Sequence, residues 1–88
     1  MKIHEIPHGV NVVIETSTKR VVIGRFDSTN GFTAVMHDCD IKEFEDSDAA
    51  ETHVRETATY GVDVKHRDAE IDVSDVERVR LLGDIPKL

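Results

Sequence analysis

Apolar and polar positions alternate clearly from Val10 onward. Val10, Val12 and Ile14 share one side of an extended chain and Asn11, Val13 and Glu15 the other, which predicts a first strand. Thr16-Ser17-Thr18-Lys19 reads as a turn. Val21, Ile23 and Arg25 then alternate with Val22, Gly24 and Phe26 in a second strand, antiparallel to the first because the connection is short. Asp27 to Gly31 is a run of turn formers, and Asn30-Gly31 takes positive φ at low cost. A third strand is predicted from Phe32 to about Phe44, with Phe32, Ala34 and Met36 on one face and Val35, Cys39 and Ile41 on the other. It starts apolar on both faces, which makes it central, and turns polar towards its end.

Two patterns compete in the next stretch. Asp48 and Glu51 are spaced as a capping box, Gly61 suits a helix C-terminus, and Ala50, Val54 and Ala58 recur every four residues, which predicts a helix over 49–60. Val54, Ala58, Tyr60, Val62 and Val64 also share one face of an extended chain, and Thr52, Thr57 and Thr59 prefer strand. The strand, from about Val54 to Lys65, is the favoured reading, with a short helix or helical turn near 48–53. Beyond it, Ile71 and Val73 lead into a one-turn corner at Ser74-Asp75, and Val79 to Leu82 closes the pattern before Gly83 and Pro86.

Composition agrees with a sheet. Val, Ile and Thr contribute 26 of the 88 residues and Leu only three. No linker or repeat divides the chain, so 1–88 reads as a single domain, with a flexible N-terminal arm at 1–8 and an acidic loop at 45–53. A domain this small buries only about 60% of its unfolded surface, which favours assembly. The net charge of −7 argues against indiscriminate coating of nucleic acid or anionic membrane. Seven of the 18 acids fall between Asp38 and Glu51, against one base, so the acidity is local. Apolar runs never exceed three residues, so neither a membrane span nor a signal peptide is expected, and a cytoplasmic location is. The single Cys39 excludes an internal disulfide.

Three meandering strands, a polar excursion, a fourth strand, a tight corner and a short fifth strand describe a mainly all-β fold: a five-stranded, strongly bent SH3-like barrel. Residues 21–40 add detail. Val22-x-Gly24-x-Phe26 followed by Phe32-Thr33-Ala34-Val35-Met36-His37-Asp38-Cys39 resembles the first motif of the Sm-like (LSm) family, and Ile71-x-Val73-Ser74-Asp75-Val76-x-x-Val79 resembles the second. The resemblance covers about 35 residues. It implies a non-enzymatic, ring-forming protein, a cyclic homo-oligomer in which strand four of one copy pairs with strand five of the next, and RNA or single-stranded nucleic acid as ligand. Val62, Val64, Val79 and Leu81 are the expected oligomer-interface positions. The family's uridine-contacting positions are Gly31 and Thr33 here, and Ser74-Asp75 stands where its Arg-Gly pair is expected.

Candidate chemistry is sparse. His37-Asp38-Cys39-Asp40 packs four metal-ligand types together, yet strand alternation puts His37 and Cys39 on one face and both Asp on the other, so no metal site is expected. No nucleophile has a visible activating base, and no Gly-rich phosphate loop occurs, so neither enzyme activity nor a cofactor is expected. The five His are scattered and read mostly as solvated. For nucleic acid, Arg25, Asn30, Phe32, Lys65 and Arg67 are the candidate contacts, with Phe32 as stacking surface. The alternative is an adaptor ring with no nucleic-acid ligand, whose acidic segment binds a basic protein. The two differ in whether the bases converge on one face or are neutralised singly.

Overall fold

The computed structural model describes residues 1–88. Its strands are β1 (Asn11–Thr16), β2 (Arg20–Thr29), β3 (Thr33–Glu43), β4 (His66–Asp72) and β5 (Val76–Leu81), with one helix, α1 (Ser47–Tyr60), between β3 and β4. All five strands join a single antiparallel sheet in the order β4-β3-β2-β1-β5, and the outer two do not pair with each other. The sheet curls: Ser17 N–H donates to Asp75 O at 3.0 Å, and the Arg20 guanidinium donates to Asp72 O at 2.8 Å, bringing the β4–β5 corner to the β1–β2 turn. Inside the curl lies the larger core, built around Val12, Ile14, Val22, Phe26, Met36, Cys39, Ile71 and Val79.

Outside it, α1 covers β1 and β2. Val13, Val21 and Ile23 face the helix residues Ala50 and Val54, with Ile85 closing the end. The triplets Val12–Ile14 and Val21–Ile23 are therefore fully buried on both faces. The strand expected from Val54 to Lys65 is corrected by this packing. Its first half is helix, and 61–65 connects to β4. Asp46 caps the helix, its side chain accepting from Ala49 N at 2.7 Å, and Gly61 (φ 97°) ends it by donating to Thr57 O. Thr57 and Thr59 are tolerated because their hydroxyls donate to His53 O and Arg55 O, one turn back. Tyr60 and Val64, which the strand reading would bury, are 80% and 47% exposed.

Two further expectations change. Of the acidic loop at 45–53, residues from Ser47 onward are the first half of α1. The N-terminal arm at 1–8 contains a 3-10 turn (Ile3–Glu5), and Ile6 is buried in the larger core. A β-bulge also breaks the alternation assumed for β3. Asp38 has φ 46°, and the register passes from Arg25↔His37 to Ile23↔Asp40, so one residue of β2 faces two of β3. That one residue is Gly24. A Cβ there would lie 2.7 Å from Cys39 Cα and closer still to Cys39 Cβ.

Candidate functional site

β4 and β5 are the outermost strands of the sheet, and on β5 the N-terminus already reaches the edge, Met1 N donating to Val79 O at 3.4 Å. On β4, Val73 N donates to Phe32 O at 2.8 Å, and the ladder pairs Ala34 with Ile71 and Met36 with Ala69. Antiparallel pairs alternate between bonded and non-bonded, so the backbone groups of Asp68 and Glu70 point out from the sheet edge, as do those of Asp72, whose carbonyl Arg20 takes. Ile71 and Ala69 turn their side chains to the larger core, which places those of Asp68, Glu70 and Asp72 on the outer face. On β5 the order is reversed in charge: Val79 and Leu81 face inward, and Arg78 and Arg80 face outward.

Those arginines are held by carboxylates. Arg78 reaches Glu15 at 2.9 Å, and Arg80 reaches Glu15 at 3.2 Å and Glu51 at 2.8 Å, which docks α1 on the outer face beside Val13. Arg80 holds the Glu51 carboxyl below the usual carboxylate range, and Glu15 raises the Arg78 guanidinium. A second polar chain crosses the other half of that face. His37 Nδ1 lies 2.7 Å from Asp68 Oδ1, His37 Nε2 lies 3.0 Å from Asp27 Oδ2, and His8 Nδ1 lies 3.0 Å from Asp27 Oδ1. Asp68 and then Asp27 raise the His37 pKa. The bulge at Asp38 turns Cys39 into the larger core while His37 stays outside, so the expected sharing of a face by His37 and Cys39 is overturned. Burial pushes the Cys39 thiol up, away from the reactive thiolate. Beneath α1, His53 meets the buried Asp40 at 2.9 Å.

The nucleic-acid candidates do not converge. Arg25 faces Asp38 at 3.3 Å, and Lys65 is paired with Asp63. Asn30 is spent on its own turn, its Oδ1 accepting from Phe32 N and Thr33 N. Phe32 is 72% exposed at one end of the β3–β4 pair, near Val73, whereas Lys65 and Arg67 lie at the other, near Cys39. Seven residues of strand separate those ends, roughly 20 Å. The interface candidates also divide. Val79 is a core residue and Leu81 packs against that core, Val62 packs under α1, and only Val64 is exposed. Val62 and Val64 precede β4 rather than forming it.

Neither the outward backbone of β4 nor the His37 chain is visible in local spacing. Both depend on strand register. No helix is long and apolar enough to cross a membrane. No family model matches the chain, and no curated protein matches it.

Proposed function

We propose that the chain is a non-enzymatic, Sm-like interaction domain that assembles with copies of itself, β4 of one pairing with β5 of the next, into a cyclic adaptor. The observation that carries the reading is the complementarity of the two unpaired edges. An antiparallel β4–β5 pairing between copies, faces matched, sets Asp68, Glu70 and Asp72 against Arg78 and Arg80, and Ala69 and Ile71 beside Val79 and Leu81. A head-to-tail contact of this kind closes into a ring or runs on as a filament. Pairing would remove two exposed edges and add burial to a small core. Nucleic acid is left out of the proposal because its candidate contacts do not converge: Arg25 and Lys65 each pair with a carboxylate, and Lys65 and Arg67 lie at the opposite end of the β3–β4 pair from Phe32.

Light scattering at micromolar concentration tests it. The expected mass is a multiple of 9.9 kDa, and a monomer overturns the reading. Glu70→Pro removes an N–H that only a partner strand would use, so it dissociates the assembly while circular dichroism stays unchanged. Glu70→Lys, which places like charges against the neighbouring arginines, weakens assembly without touching the backbone.

A further inference from the structure

We propose that His37 is a pH-sensitive clip that fastens the edge strand β4 to the rest of the sheet. Carboxylates only accept hydrogen bonds, and both ring nitrogens of His37 face one, Asp68 on β4 at 2.7 Å and Asp27 on β2 at 3.0 Å. Only the imidazolium form carries two N–H donors, so the geometry is that of a protonated ring bridging β2, β3 and β4. The segment before β1 joins the same carboxylate, since His8 Nδ1 lies 3.0 Å from Asp27 Oδ1 and 2.9 Å from Asp27 O. The other charges nearby are Arg25, opposite His37 on β2 with its guanidinium turned to Asp38, and Glu70, the next outward acid of β4. Acids dominate the surroundings, in keeping with a raised His37 pKa.

Loss of the proton leaves one nitrogen lone pair against a carboxylate oxygen, and that contact must open. The Asp68 side chain is 82% exposed and Asp27 31%, so water replaces the bond to Asp68 more readily. The remaining proton stays on Nε2 towards Asp27, and β4 is the strand released. A raised pKa gives stability that is complete below the unfolded value, about 6.5, and is lost as pH rises through the folded value. The clip is therefore closed below the ordinary histidine value and opens as pH rises through the raised one. It acts within one chain and stands whether or not copies associate.

Nitrogen-15 spectra of the histidine rings test the first step. His37 is expected to titrate above about 6.5 and to show both nitrogens protonated below its midpoint. The second step is read by amide exchange of Ala69 and Ile71, whose N–H groups bond to β3. After correction for base catalysis, it accelerates by about tenfold or more between pH 6 and pH 9 in the native chain, and not in His37→Gln. Asp68→Asn, at an exposed position that leaves the core intact, lowers the His37 midpoint. A midpoint at or below the ordinary histidine value overturns the proposal, as does the same corrected acceleration in the native chain and His37→Gln.

Discussion

Over β1 and β2 the outer face of the sheet carries Val13, Val21 and Ile23 beneath α1, whereas over β4 and the first half of β3 it carries His37, Asp68 and Glu70 outside that cover. The same sheet is thus held in two ways. In the covered half, apolar burial dominates, and the Glu15, Glu51, Arg78 and Arg80 cluster adds ion pairs that weaken only in acid, as pH falls through the lowered Glu51 pKa. In the open half, the outer face is fastened by His37 and its carboxylates, and the weakening comes from base. Covering one half commits it to structure. The bare half leaves its outer face uncovered, and each half ends in an edge strand.

The largest expected effect lies where the halves meet. Gly24 sits against the bulge that turns Cys39 inward, and a methyl group there collides with Cys39 backbone and side chain. Gly24→Ala is expected to destabilise by about 3 kcal/mol, measured by urea unfolding, because main chain rather than a flexible side chain must move. A cost under about 1 kcal/mol would mean that the two strands can separate cheaply, and that the division between halves is soft. Next comes Val54, fully buried beneath the outer face. Val54→Ala leaves a cavity between α1 and β1–β2 and is expected to cost about 2 kcal/mol, lowering Tm by roughly 10 °C. A negligible change would show that α1 is an ornament on the sheet rather than its cover.

Much of this arrangement is legible in the chain. β1, β2, β3 and the Ser74-Asp75 corner follow from period-two patterning and turn residues, because each strand turns alternate side chains to the inner core over most of its length. The helix is harder to see, since α1 carries three threonines and its buried stripe of Ala50, Val54 and Thr57 is thin and only partly apolar. The decisive signal is elsewhere: three consecutive apolar residues in each of β1 and β2 leave an outer face that requires a cover. The ladder partners of His37 are beyond sequence patterning. Asp27 and Asp68 lie ten and 31 residues away and meet it only through the register of three strands, two of them bulged against each other. For the candidate nucleic-acid residues the limit is the same in reverse: charge composition shows Arg25 and Lys65 but not the acids folded beside them.

The smallest expected effect sharpens the contrast between the halves, because it also concerns a large apolar side chain. Phe32 is 72% exposed beside the β2–β3 turn. What the fold uses at this position is backbone: Phe32 N–H donates to Asn30 Oδ1 at 2.9 Å, and its carbonyl accepts from Val73 N at 2.8 Å. Both bonds survive any L-residue, so Phe32→Ser is expected to change stability by less than about 0.5 kcal/mol in urea unfolding. A loss comparable to that of Val54→Ala would place Phe32 inside a contact, and in an assembly that contact would come from a second copy. Repeating the measurement at tenfold lower protein concentration separates the cases, since a cost that disappears on dilution belongs to association and a constant one to the single chain.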